Sequence, residues 1–134
     1  MKTYHLSVEI TQQLICSFDL RLTCAFAYDP RDPLAVTLVF GAGTGRPVRW
    51  VFSRDLLAEG LTGRVGEGDV VLWPVYDRDG APSSFCVRVG GPHTALFEIP
   101  ALPVAQWLAA TYGAVPRGAE LRGVDWDELA QLAE

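Results

Sequence analysis

The chain has 134 residues, with 16 Asp and Glu against 11 Lys and Arg, a formal net charge of -5 and a pI near 4.9. Hydrophobic residues make up 49% and charged residues 20%, the composition of a globular protein and not of a disordered one. The acidic balance offers no net positive field to a polyanion, which counts against simple electrostatic nucleic-acid binding, and no apolar run reaches the roughly 20 residues that a membrane span needs.

The start, Met1-Lys2-Thr3-Tyr4-His5, leads into alternating residues instead of a signal peptide, so a cytoplasmic protein is expected. From His5 to Ile10, Leu6, Val8 and Ile10 alternate with His5, Ser7 and Glu9, the period of a half-buried strand. Leu20 to Ala27 repeats the pattern with Leu20, Leu22, Cys24 and Phe26 on one side. Tyr28-Asp29-Pro30-Arg31-Asp32-Pro33 is turn chemistry, because Pro presets φ and Asp bonds nearby backbone. Leu34 to Phe40 is apolar on both faces apart from Thr37, which predicts a strand buried on both sides. The glycines of Gly41-Ala42-Gly43-Thr44-Gly45 match neither the dinucleotide fingerprint nor a phosphate loop and read as a hairpin connection.

Val48 to Leu61 joins a strand to a short helix. Val48, Trp50 and Phe52 alternate with Arg49 and Val51, and Ser53 then has the chemistry of a helix N-cap. Asp55 in the first turn suits the positive end of the helix dipole. Phe52 and Leu57 have the spacing of a hydrophobic staple, and Gly60 closes the helix after about two turns. So short a helix is not stable alone, and Leu56, Leu57 and Leu61 must lean on a sheet.

Gly66-Glu67-Gly68 predicts a turn, Asp69 to Tyr76 a strand, and Asp77-Arg78-Asp79-Gly80 a hairpin turn. Two more strands follow, marked by Phe85, Val87 and Val89 and then by Ala95, Phe97 and Ile99. Past Pro100 the period becomes helical. Pro103 suits a first turn, Val104, Trp107, Leu108 and Thr111 share a face, and Gly113 is the expected stop. A last helix is expected from Asp125, where Asp125 and Glu128 have capping-box spacing. It would be acidic and weakly amphipathic, carrying Trp126, Leu129 and Leu132. The whole is one α+β domain over residues 1–134, strand-rich over 3–99 and helical over 101–134, with about seven strands in an antiparallel meander.

Nothing in this pattern predicts catalysis. His5 and His93 have no partner at metal-ligand spacing, and Cys16, Cys24 and Cys86 lack C-x-x-C spacing and read as buried free thiols, so no cofactor and no metal are expected. Arg46, Arg49, Arg54 and Arg64 cluster around the central stretch. They would serve a nucleic-acid backbone if exposed aromatics lay among them, but they are explained more simply as outward positions, with Arg54 and Asp55 balanced by Glu59. Trp50, Trp73 and Trp107 fit a core or a subunit interface, whereas Trp126 in its acidic surroundings suits a partner surface or a neighbouring subunit, with simple packing as the alternative.

Three segments carry a resemblance. Tyr28-Asp29-Pro30-Arg31-Asp32-Pro33-Leu34-Ala35-Val36, the Trp50-Val51-Phe52-Ser53-Arg54-Asp55-Leu56-Leu57-Ala58-Glu59-Gly60-Leu61 run, and Gly66-Glu67-Gly68-Asp69-Val70-Val71-Leu72-Trp73-Pro74 resemble the SsgA-like proteins of sporulating actinobacteria, and Ala114 to Glu120 is similar too. The resemblance makes Trp50, Phe52, Asp55, Leu56, Leu57, Gly60 and Trp73 the family motif. It implies a regulator and not an enzyme, one that helps place the tubulin-like division GTPase FtsZ at septa together with other SsgA-like proteins and influences septum and spore-wall formation. It also implies a whirly-like, barrel-like sheet that forms a homotrimer, located in the cytoplasm at division septa and meeting the membrane only indirectly through the septal machinery. The alternative, from the fold relation, is a single-stranded nucleic-acid binder. Arg49, Arg54, Glu59 and Trp126 are the residues expected to meet a protein partner.

Overall fold

The computed structural model describes residues 2–14, 18–91, 94–122 and 131. Eight strands form one antiparallel sheet: β1 (Tyr4–Gln13), β2 (Asp19–Tyr28), β3 (Ala35–Phe40), β4 (Val48–Ser53), β5 (Val65–Glu67), β6 (Val70–Tyr76), β7 (Pro82–Val89) and β8 (Ala95–Pro100). Helix α1 (Arg54–Gly60) follows β4 and helix α2 (Ala101–Ala114) follows β8. The sheet order is β4-β3-β2-β1-β8-β7-β6-β5. Two four-strand meanders, each closed by a helix, are therefore joined where β1 pairs with β8 from Thr11↔Glu98 to Gln13↔Leu96. No repeat in the residues announces this, since pairing in a meander needs only alternation and turns of the right length.

Alternation decides which face is buried. Val8, Ile10, Cys24, Phe26, Val36, Leu38, Phe40 and Phe52 point inward from the first meander, and Val70, Leu72, Phe85, Val87, Phe97 and Ile99 from the second. The sheet curls around this core until its two edge strands face each other across α1, where Val51, Phe52, Leu56, Glu67 and Val70 share one recess. Helix α2 packs against β1 and β7. Val104, Trp107, Leu108 and Thr111 are all on its buried face, as their spacing predicts, and the Phe26 ring meets Trp107 edge-on at 5.6 Å.

Three expectations change, and a fourth holds for a different reason. Among the described residues there are eight strands where about seven were expected, because β5 pairs Val65↔Leu72 through Glu67↔Val70 around Gly68, whose φ of +59° suits glycine; three residues are too few to show a period. The strand from Leu34 to Phe40 is fully buried on one face only: Val36, Leu38 and Phe40 are inside, Ala35, Thr37 and Val39 are half-buried, and Leu34 precedes the strand and is 51% exposed. Helix α2 runs through Gly113 to Ala114. Gly60 does close α1, but for a reason of packing: a Cβ there would lie 2.6 Å from Leu72 Cβ, so α1 reaches β6 only with glycine at this point. The helix expected from Asp125, with Trp126, lies outside the described residues.

Candidate functional site

The strand-to-helix junction forms as its residues predict. Ser53 is the N-cap of α1, its Oγ accepting a hydrogen bond from the Leu56 N–H at 3.2 Å. Phe52 and Leu57, on either side of the cap, are both buried and pin the entry angle of the helix. Leu56 and Leu61 pack against the edge of the same core.

Arg54 is the correction with the largest consequence. It was expected to be exposed and available to a partner, yet its side chain is 1% exposed. Its Nη1 donates to the Thr111 carbonyl at 3.1 Å and its Nη2 to Glu120 Oε1 at 3.1 Å. The guanidinium lies over the Tyr112 ring at 4.0 Å and the Tyr28 ring at 4.7 Å. An Arg fork can make two directed hydrogen bonds and stack on aromatic faces at once, which is why the position takes Arg. The expected balance of Arg54 and Asp55 by Glu59 is also replaced. Arg117, in the segment after α2, reaches Asp55 Oδ2 at 3.5 Å and Glu59 Oε1 at 2.7 Å, and the Tyr112 hydroxyl donates to Asp55 Oδ1 at 2.6 Å. The polar side of α1 thereby ties down α2 and the segment up to Glu120. Glu120 is held below the usual carboxylate range by a backbone hydrogen bond and by Arg54. Burial first, and then the hydrogen bond to Asp55, pushes the Tyr112 hydroxyl up.

The signal missed in the sequence was available: Arg54 follows the N-cap, where a cation opposes the helix dipole, so a basic residue there needs a partner elsewhere. Of the remaining expected positions, Arg49 and Glu59 are exposed, and Glu59 is already engaged with Arg117. Trp50 and Trp73 are half-buried. Arg46 borders a recess on the inner face, and Arg64 and Arg88 stack on the Trp73 ring at 5.1 and 5.9 Å.

That recess is the second part of the site. The inward stripe of the β1–β2 hairpin runs Val8, Ile10, Gln12, Leu14 on one strand and Cys24, Leu22, Leu20, Phe18 opposite, the hairpin closing with Leu14 N–H donating to the Phe18 carbonyl at 2.8 Å. Along this stripe burial falls away. Cys24 and Ile10 are enclosed, Leu22 is half-buried, and Leu20 and Phe18 are 46% and 70% exposed. The hairpin overhangs an open mouth of the curled sheet, a recess of about 400 Å³ floored by the stacked Phe40 and Phe97 rings, 4.1 Å apart, and walled by Val48 and Trp50. The core-patterned stripe thus ends in the open, with large apolar side chains exposed beside the recess.

Among the described residues no three His, Cys, Asp or Glu side chains come together as metal ligands. Burial pushes the Cys24 thiol up to about 12, and burial followed by the Glu98 charge pushes Cys86 up to about 11, which leaves neither as a thiolate at neutral pH. No helix among the described residues is long and apolar enough to cross a membrane.

The fold is that of an α+β protein with a curled antiparallel sheet and an apolar mouth. The family model described as "Streptomyces sporulation and cell division protein, SsgA" matches residues 22–120. The sporulation-specific cell division protein SsgB of Streptomyces coelicolor is 39% identical over 125 residues, covering 91% of this chain and 90% of that protein. SsgB of Frankia casuarinae is 40% identical over 107 residues, covering 78% and 73%. Two solved structures are similar throughout. One comes from work on SsgB mutations that correlate with longitudinal cell division during sporulation of Streptomyces coelicolor, with a TM-score of 0.81, 36% identity and coverage of 90% of this chain and 95% of that one. The other is an SsgA-like sporulation-specific cell division protein from Thermobifida fusca, with a TM-score of 0.83, 30% identity and coverage of 97% and 95%. The chain belongs to the SsgA-like family of sporulation and cell division proteins.

Proposed function

We propose that this protein regulates sporulation-specific cell division by binding other proteins at the septum, recruiting or positioning FtsZ together with other SsgA-like proteins, and that it has no enzymatic activity. Family membership supports the process. The observation that supports a binding role is the apolar mouth under the β1–β2 hairpin, where side chains patterned for a core stand open. Anchors of this kind, apolar groups in a pocket with a polar rim, carry most of the energy of protein interfaces. In this reading the whirly-like domain works as a homotrimer in the cytoplasm at division septa and meets the membrane only through the machinery it recruits. Co-sedimentation of the purified chain with FtsZ polymers, or with a second SsgA-like protein, is the expected result. Failure with both would remove the adaptor reading.

One observation keeps the second reading, single-stranded nucleic-acid binding. Arg64 and Arg88 flank the half-buried Trp73, a pairing of cations and aromatic face that suits a stacked base. It predicts oligonucleotide affinity that falls steeply with salt. The absence of any shift at low salt would eliminate it.

A further inference from the structure

Arg64 and Arg88 meet on the outer face of the second meander. Arg64 precedes β5, and the register Val65↔Leu72 sets it opposite Trp73, which pairs in turn with Cys86, and Cys86 with Glu98. Arg88 lies between Val71 and Leu96, on the face away from the buried Leu72, Val87 and Phe97. Both guanidiniums stack on one ring, at 5.1 and 5.9 Å from the centre of Trp73. Among the described residues neither forms an ion pair. Glu98, the acid in that cross-strand row, is engaged elsewhere, accepting from Ser84 Oγ at 2.9 Å and from Gln13 Nε2 at 3.4 Å.

Two like charges held at one ring repel each other, and the aromatic face attracts each without neutralising either. In a chain with 16 acidic residues against 11 basic ones, this is a local reversal of the average charge. Half-buried Val71, Val75 and Leu96 surround the ring, while both helices pack on the opposite face, α1 where Gly60 meets Leu72 and α2 through Val104, Trp107 and Leu108. We infer that this strip binds an acidic peptide segment of a partner protein, with carboxylates on Arg64 and Arg88 and apolar side chains laid against Val71, Trp73 and Leu96. The planar guanidinium fork matches a carboxylate in two parallel hydrogen bonds. The inference rests on the protein-binding reading and gives it a surface other than the mouth.

The observations favour a peptide over a nucleic acid. A base would have to compete with two guanidiniums for a ring that is half-buried already. A polynucleotide also meets the acidic field of the whole chain, whereas a segment of a few residues meets mainly the charges within a Debye length, about 8 Å at physiological salt. Apolar side chains beside the cations suit interleaved apolar residues and offer nothing to a phosphate backbone.

The test is fluorescence anisotropy of the full chain with a labelled peptide that alternates Glu and Val. Binding is expected at low salt, and the same peptide with Gln for Glu should bind roughly tenfold more weakly, since its charge-assisted hydrogen bonds are lost. Arg64→Glu and Arg88→Glu should each weaken binding of the Glu peptide by about tenfold, because reversal replaces attraction with repulsion. Arg64→Gln and Arg88→Gln should act in the same direction and serve if reversal perturbs folding. Arg122→Glu makes the same change of charge on an exposed segment off the strip and should leave binding within about twofold. No binding of the Glu peptide, equal binding of its Gln form, or an equal loss in Arg122→Glu would each overturn the inference. Tighter binding of a single-stranded oligonucleotide of matched charge, lost in the Arg64 and Arg88 variants, would overturn it in favour of nucleic acid. FtsZ is absent from this experiment, so a chain that co-sediments with FtsZ but ignores the peptide loses this surface and keeps the adaptor reading.

Discussion

The guanidinium of Arg54 lies 4.0 Å from the centre of the Tyr112 ring, inside the protein, while the hydroxyl of the same tyrosine donates to Asp55, the next residue of α1. One aromatic side chain from α2 thus engages two neighbouring residues of opposite charge in α1. Arg54→Ala would take one donor each from Glu120 and from the Thr111 carbonyl, which keep only their backbone donors, and would empty the space between two rings. A loss of about 3 kcal/mol or more is expected for truncating a buried, hydrogen-bonded charge, read by urea denaturation. Arg54→Lys should recover only part, because an ammonium cannot donate as a planar fork while stacked. Full rescue by Lys would mean that charge alone matters there.

The Glu120 carboxylate gives this network a pH dependence. Its pKa is lowered in the fold, by a backbone hydrogen bond and by Arg54, so its contribution is present above the ordinary value of 4.5 and is lost as pH falls through the lower folded value. Wild type should be more stable than Glu120→Gln at neutral pH, and the difference should shrink progressively in acid below about pH 4.5. A difference that stays constant down to pH 2 would show that Glu120 is not linked to folding in this way.

Gly60→Ala should be destabilising, although alanine is the better helix former, because the added methyl would sit 2.6 Å from Leu72 Cβ. Overpacking of this kind costs about 1–3 kcal/mol. In a double-mutant cycle with Leu72→Ala the two changes should cost less together than their sum. Simple additivity would place the cost in the backbone instead.

Ser53→Ala should cost about 1 kcal/mol through loss of the cap on the Leu56 N–H, and Ser53→Gly less. Thermal denaturation of the two variants separates this from a packing effect, since the Ser53 side chain is exposed and glycine would then be the worse substitution.

Cys24 and Cys86 should be silent toward a thiol reagent at neutral pH in the native protein and react once it unfolds, given pKa values pushed up to about 12 and about 11 by burial. A Cys16→Ser chain isolates these two. Rapid native modification of either would mean that the sheet opens locally around it.

Much of this was legible in advance because it depends on near neighbours. Alternation located seven strands, the Ser53 cap and the Phe52–Leu57 staple were readable at their spacing, and the buried face of α2 followed from Val104, Trp107, Leu108 and Thr111. Strand β5 was missed because three residues have no period to read. The reading of the site fared differently. Arg49 and Glu59 are exposed as expected, but Arg54 is not, and the open hairpin stripe at Leu14, Phe18 and Leu20 was not singled out because alternation says which side chains face inward and not whether anything covers them.

The residues by themselves determined the α+β class, the inward stripes, the turns and the capped entry into α1, since each rests on local backbone geometry and on hydrophobic period. Only the tertiary structure decided that β1 meets β8, that Arg54 is buried between Tyr28 and Tyr112 with Glu120 as its partner, and that the core stripe of the first hairpin ends in an open mouth. These depend on contacts between residues far apart in the chain, such as Arg54 and Glu120, whose meeting is set by the curl of the sheet and the packing of two helices on it, and no local pattern encodes that distance.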